Sequence, residues 1–354
     1  MLSTMVKYAW LTAFLSNRTQ CVAIENCLSG ERPVLSGVPQ GSVIGPILFL
    51  LFINDIDSVC SGITNFKLFA DDLKLYSNVT ACSLNTDLQL SLDNLSLWAN
   101  SWQLTINTKK CSVLGLHGRF QSSNKSYFLN GCLLSSSNPT RDLGILINDN
   151  LSYKSHINSI VSKSLQRIGI LFRGFLCRDL HFLRKAFIIY VRPLIEYNSI
   201  LWSPNQKIYI DLIEKVQRRF TKRIPCLHNL SYLDRLKTIN LQSLELRRLH
   251  FDLFYYFKIL HNLTDINPVN FFTYHNPPSS LRQNAPFVTT PQSSTSKYLS
   301  TLPFRSLTCW NNLPAALRNQ QSFTLFKTTI YTMDLSSFLY GSVYTDLVNF
   351  NFTV

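Results

Sequence analysis

The sequence predicts an α+β region over residues 1–150, an all-helical region over 151–262 and an irregular linker and C-terminal segment over 263–354. Three observations lead there. Apolar spacing switches repeatedly between helical and alternating periods in the first region, stays helical throughout the second, and gives way to a Pro, Ser, Thr and Asn-rich stretch at 263–302.

In chain order, Val6, Trp10, Phe14 and Leu15 share one helix face, and Asn17–Arg18 ends that helix. Gln20–Ile24 and Pro33–Leu35 read as short strands joined through Asn26–Gly30, and a Gly/Pro loop follows at Ser36–Ser42. Val43–Ile56 is the longest apolar run; it falls short of the ~20 residues that span a bilayer and reads as a buried helix starting near Pro46. Phe66–Ala70 and Leu73–Tyr76 flank Asp71–Asp72 as the arms of a tight hairpin. Leu84, Leu88, Leu92, Leu95 and Trp102 line a further helix, and strands are expected at Ser112–Leu116 and Leu143–Ile147. Together these predict helices packed on an antiparallel sheet.

Past 151, Ile157, Ile160, Val161, Leu165 and Ile168 form one apolar stripe, and Leu183, Phe187, Tyr190 and Val191 form another that Pro193 ends or kinks. A third helix, Ile208–Ile224, places Ile213, Val216 and Phe220 inward and displays Arg218, Arg219, Lys222 and Arg223. Leu241–His261 makes a fourth, with Arg247 and Arg248 adjacent, and Phe323–Ser337 suggests one more.

With 46% hydrophobic and 15% charged residues, the 354-residue chain excludes wholesale disorder. Its net charge of +14 points to a polyanionic partner, nucleic acid or an acidic membrane surface. Residues 1–150 are neutral overall, whereas 151–270 carry +11 and 271–354 carry +3, so one region is suited to gripping an anion. A scattered set of solvated helix faces would give the same count. Nine cysteines without a Cys-x-x-Cys pair argue against a disulfide framework or a zinc site. The expected setting is therefore intracellular, nucleus or cytoplasm, with neither secretion nor a transmembrane segment.

The residues most suggestive of chemistry are Phe69-Ala70-Asp71-Asp72. Paired carboxylates at a bend suit a hard cation such as Mg²⁺, which binds one or two carboxylates together with substrate phosphates. An Asp-Asp dipeptide alone is more commonly just a solvated turn. Its neighbours raise its significance: Ser36-Gly37-Val38-Pro39-Gln40-Gly41-Ser42 lies upstream, and Leu104–Lys110 and Arg141-Asp142-Leu143-Gly144-Ile145 lie downstream. Glycines 37 and 41 permit close backbone approach to a ligand, and Gln40 adds a directional donor and acceptor.

The order and spacing of these blocks resembles the palm of reverse transcriptases from non-LTR (LINE-type) retrotransposons. Leu15–Gln20, Tyr190–Tyr197, Trp202, Glu214–Arg219, Phe304-Arg305, Trp310–Pro314 and Phe326-Lys327 are similar to further segments of that family, so the likeness covers nearly the whole chain. It implies a partial right-hand polymerase palm (1–150), a basic helical thumb-like domain (151–262) and a C-terminal segment of non-LTR element type (263–354). It implies RNA-directed DNA polymerase activity by two-metal nucleotidyl transfer, with an RNA template, a DNA primer and deoxynucleoside triphosphates. Asp71 and Asp72 match the family's ligands of two Mg²⁺ (or Mn²⁺) ions, and Lys109 a lysine that assists the leaving pyrophosphate. Gly37, Pro39, Gln40, Gly41 and Ser42, with Phe69 and Ala70, match positions against template and nucleotide. Leu143 and Gly144 match a primer grip. Arg218, Arg219, Lys222 and Arg223 are expected on the nucleic-acid backbone.

The family's first catalytic aspartate precedes the segment matched by Leu15–Gln20, and its fingers also lie upstream. The sequence starting at Met1 therefore predicts an N-terminally truncated, impaired polymerase fragment, the alternative being a non-catalytic remnant that binds nucleic acid. Asp55, Asp57, Asp87 and Asp93 offer no convincing third ligand.

Overall fold

A computed structural model describes residues 2–62, 64–78, 86–116, 126–275, 287–289 and 301–341. The chain forms two compact units, Met1–Gly115 with Arg119–Ser137, and Asn138–Val354 with the short piece Leu116–Gly118. Ser137 and Asn138 thus mark the junction, so the hairpin after it is part of the helical unit rather than of the mixed one.

The first unit begins with α1 (Leu2–Leu15). Four short strands follow, β1 (Arg18–Gln20), β2 (Ala23–Ile24), β3 (Cys27–Leu28) and β4 (Arg32–Val34), with β2–β3 nested inside the β1–β4 pair. α2 (Gly45–Phe52) starts with Pro46 in its first turn, as proline's fixed φ favours. The expectation that this helix is buried is overturned: Ile47 is 59% and Leu51 67% exposed. A helix apolar all round has no polar face to turn outward, so packing one side leaves the others in water.

β5 (Asn65–Phe69) and β6 (Asp72–Tyr76) form the expected hairpin in the register Phe69 opposite Asp72. Phe66, Leu68, Leu73 and Leu75 turn inward beneath α3 (Thr86–Ser101), where Leu92 and Leu95 join Ile56, Val59, Tyr127 and Leu129 in a core. Leu84, placed on that helix by the sequence, lies outside the described residues. Asp55 accepts hydrogen bonds from the indoles of Trp98 (3.0 Å) and Trp102 (3.2 Å), which pins α3 to the segment after α2.

No single antiparallel sheet forms among the described residues; all strands sit in two-stranded ladders, and the pair Ser112–Val113 with Ser135–Ser136 is parallel. Most are hairpins between chain neighbours, the pairings with the least loop-closure entropy.

The second unit opens with the hairpin Thr140–Asp142 and Ile145–Ile147, then α4 (Lys154–Gly174). Leu180–Ala186 continues through a π-helical turn at Phe187–Val191 into Arg192–Glu196. Phe187 and Val191 are fully buried, but the widened turn before Pro193 rotates Tyr190 outward, away from the inward face the sequence assigned it. α5, the basic helix at Lys207–Lys222, buries Ile213, Val216 and Phe220 as expected. α6 (Leu244–Leu260) is largely enclosed.

The C-terminal segment departs from the expected irregular tail. Over 301–341 it folds into four short helices, Leu302–Arg305, Leu307–Asn312, Ala315–Arg318 and α7 (Phe323–Thr332). Trp310, Phe326 and Ile330 bury against Leu253, Tyr256 and Phe257 of α6, and that apolar area is what orders the segment. Arg305 forms a buried, two-pronged ion pair with Asp252 (2.7 and 2.6 Å). Most of 263–302, expected as a loop, lies outside the described residues. Among the described residues no helix is long and apolar enough to cross a membrane.

Two buried histidines give the second unit a measurable pH signature. His156 Nδ1 accepts a hydrogen bond from the Leu146 amide (3.3 Å), and burial, aided by Arg141 and Lys163, pushes its pKa down to about 4. Burial and then Arg247 bring His250 down to about 4 as well. Both lie below the ordinary 6.5, so the unfolded chain takes up these protons first. Their contribution is intact above that value and is lost as pH falls toward 4. Between pH 7 and 5, denaturant unfolding should show wild-type protein losing on the order of 2 kcal/mol more than His250→Phe. The buried carboxyls are common to both proteins and cancel in the comparison.

Candidate functional site

The acidic hairpin is built by its turn. Phe69 and Asp72 close the ladder, leaving Ala70 and Asp71 as a two-residue connection, and Ala70 takes φ +51°. That left-handed conformation crowds an L side chain and is used here without glycine. Alternation along β5 and β6 sends the leucines inward and Lys67, Phe69, Asp72 and Lys74 outward. Asp71 and Asp72 therefore both stand in solvent at the bend, with Phe69 67% exposed beside them. Neither acid forms an ion pair among the described residues.

The loop expected against template and nucleotide is held by its own polar groups. Gly37 (φ +77°) and Gly41 (φ +85°) occupy conformations that favour glycine. Arg18 donates from Nη2 to the Gly37 carbonyl at 2.6 Å. Ser42 Oγ donates to the Pro39 carbonyl (2.8 Å) and accepts from the Gly45 amide (3.1 Å), tying the loop to the start of α2. Gln40 is exposed, and so is Lys109, in a short turn at Thr108–Lys110.

In the second unit, Leu143 (φ +43°) and Gly144 (φ +88°) form the two-residue turn of their hairpin, the pattern of a type I′ connection. Leucine is a strained choice there. Tyr197 steadies it: its hydroxyl donates to the Leu143 carbonyl at 3.1 Å. Tyr197 was visible in the sequence, but its role was not, because the two residues are 54 positions apart.

The basic cluster is rearranged. Arg219, Lys222 and Arg223 are exposed at the C-terminal end of α5, but Arg218 is half-buried with its guanidinium 4.9 Å from the Tyr232 ring centre. Arg223 instead lies over Phe172 at 4.2 Å, and Arg178 lies over the same ring at 5.5 Å. Partial burial, then the charges of Arg219, Arg178 and Arg173, hold the Arg223 pKa below its ordinary value. The structure thus groups Arg219 and Arg223 with Arg173 and Arg178, which the sequence reading missed because they sit on α4 and just beyond it. An open groove of about 540 Å³ runs alongside, lined by Gln166, Gly169, Arg173 and Arg219 among others. Two helix C-termini meet this cluster, and their dipoles favour cations there.

Not all the positive charge is displayed. Arg247 clamps Glu196 (2.9 Å from Nη2), and Arg248 is fully buried near Glu214, Glu245 and Asp252.

Comparison with known proteins bears on the segment that carries the acidic hairpin. Residues 2–145 match the family model described as reverse transcriptase (RNA-dependent DNA polymerase). An RNA-directed DNA polymerase from mobile element jockey of Drosophila funebris is 26% identical over 165 residues, 45% of this chain and 18% of that protein. Its Drosophila melanogaster counterpart is 31% identical over 160 residues, 43% of this chain and 17% of that protein. An uncharacterized protein of Caenorhabditis elegans is 27% identical over 194 residues, 51% of this chain and 95% of that protein. No solved structure matches significantly. Over residues 2–145 the chain is similar to the reverse transcriptase family. Its similarity there is to polymerases of non-LTR mobile elements, and it spans less than a fifth of the jockey relatives' length.

The turn makes one direct prediction. Ala70→Gly should raise stability by about 1 kcal/mol in denaturant unfolding, because glycine removes the left-handed penalty; Ala70→Val should lower it.

Proposed function

We propose that this chain is the palm-and-thumb portion of an RNA-directed DNA polymerase, acting on an RNA template, a DNA primer and deoxynucleoside triphosphates. The observation that carries this reading is the presentation of Asp71 and Asp72, together and without ion-pair partners among the described residues, at a bend inside the matched segment. Their donor set, two exposed carboxylates, fits Mg²⁺ or Mn²⁺ bound partly through water and substrate phosphates. When bound, such ions supply Lewis-acid activation of a primer 3′-hydroxyl and charge stabilisation for departing pyrophosphate.

The remaining roles fall to the chain itself. Asp71 and Asp72 hold the ions, and Lys109 offers a cation to the leaving group. The Gly37–Ser42 loop, with Phe69 and Ala70, lies along template and nucleotide, and the Leu143–Gly144 turn supports the primer end. Arg219, Lys222 and Arg223, with Arg173 and Arg178, neutralise duplex phosphates.

A specific observation favours a second reading, a protein that binds nucleic acid without catalysis. Among the described residues no group of three or more His, Cys, Asp or Glu is placed to hold a metal ion, whereas a two-ion site needs more than one pair of carboxylates. Primer extension on an RNA template with Mg²⁺ separates the readings. Extension abolished by Asp71→Ala with Asp72→Ala supports the polymerase; no extension beside intact duplex binding supports the second.

Duplex binding has its own signature. Arg219→Glu with Arg223→Glu should weaken it and reduce the slope of log affinity against log salt by about 2. Arg218→Ala should chiefly lower the melting temperature, since that side chain packs on Tyr232. Equal slopes for wild type and the double variant would remove these helices from the interface.

A further inference from the structure

A concavity of the second unit, about 620 Å³, lies outside the segment matched to the reverse transcriptase family and has no role in the reading above. Its walls come from the Arg192–Tyr197 stretch, α6 and α7. Two features set it apart from an ordinary apolar groove. Aromatic rings line it, with Tyr197 57% and Tyr331 39% exposed and Phe251, Tyr255 and Phe323 half-buried. Interleaved with the rings are the cations Arg192, Lys258 and Lys327.

The two lysine charges are not cancelled. The sole carboxylate among the described lining residues is Glu196, and Arg247 grips it in two-pronged fashion, with Arg192 also 3.7 Å away. Lys258 and Lys327 pair with no carboxylate among the described residues. Their ammonium groups stand beside rings instead, Lys258 4.9 Å from the centre of Phe323 and Lys327 6.0 Å from that of Tyr331.

We infer that this concavity binds single-stranded nucleic acid, its rings stacking unpaired bases and Lys258, Lys327 and Arg192 meeting the phosphates. Rings alternating with cations at this spacing suit a ligand that itself alternates flat apolar faces with anions. An apolar peptide would bury the two lysines without compensation, and an acidic peptide would leave the rings unused. The chain around the site carries the required excess, +11 over 151–270 and +3 over 271–354. Tyr197 adds continuity, since it lines the concavity and also holds the Leu143 carbonyl. That continuity rests on the primer role proposed above; the ring-and-lysine lining does not.

The test uses the full chain and short single-stranded DNA and RNA oligonucleotides bearing one 2-aminopurine, whose fluorescence falls when it stacks, beside a blunt duplex. Wild-type protein should quench the probe. Lys258→Glu with Lys327→Glu, and separately Tyr331→Ala, should each weaken single-strand binding about tenfold or more, while Tyr331→Phe retains it. Duplex affinity should stay within about twofold in all of these variants, because the Arg219–Arg223 cluster is untouched. Melting curves check the fold, and Lys327→Glu alone, at an exposed position, serves if Tyr331→Ala unfolds. Unchanged single-strand affinity, an equal loss for duplex, or displacement by poly-glutamate as effective as by unlabelled oligonucleotide would overturn the inference. Primer-extension activity does not enter any of these readouts, so its absence leaves the inference standing.

Discussion

Charge compensation inside α6 is the constraint on which the second unit depends. The helix is enclosed nearly all round, yet it carries Glu245, Arg248 and Asp252 in its buried surface. Such groups are costly unless paired or hydrogen-bonded, and Arg248 makes no hydrogen bond among the described residues, its charge offset only by the nearby carboxyls of Glu214, Glu245 and Asp252. Asp252 takes Arg305 from the C-terminal helices, and Glu245 accepts the amides of Tyr340 (2.7 Å) and Gly341 (3.1 Å). Glu214 of α5 receives the Tyr232 hydroxyl and the Leu244 amide. Burial still pushes all three carboxyls above their usual range. The bonds of Asp252 and Glu245 tie parts of 301–341 to α6, beside the apolar area that orders that segment.

The same accounting decides which cations face outward. Arg247 and Arg305 are consumed in ion pairs, Arg248 is buried without a hydrogen bond among the described residues, and Arg218 is packed on Tyr232. Among the accessible cations two groups stand out, the arginines at the ends of α4 and α5 and the lysines among the rings at α6 and α7. Neither is a uniform basic surface. One is a cluster of guanidiniums at helix C-termini, the other a set of cations beside aromatic faces.

In the first unit the governing feature is a turn. Ala70 accepts a left-handed backbone so that Asp71 and Asp72 emerge together at the bend rather than on opposite faces of a strand. α2, apolar and largely exposed, contrasts with the buried helix its composition suggested. Hydrophobicity records what a segment would gain by burial, not whether a partner surface is present.

The sequence by itself determined the local elements and the motifs they carry: the 65–76 hairpin, the amphipathic stripes of α4 and α5, and the family that residues 2–145 resemble. These are legible because periodicity and turn chemistry act over a few neighbouring residues. Only the tertiary structure decided that Arg218 and Arg219 part company, that Arg173 and Arg178 join the basic cluster, that Tyr197 steadies Leu143, and that rings from Phe251 to Tyr331 converge with two lysines. Those pairings join positions tens of residues apart. They follow from how helices rotate to bury apolar area and neutralise interior charge, which no local pattern encodes.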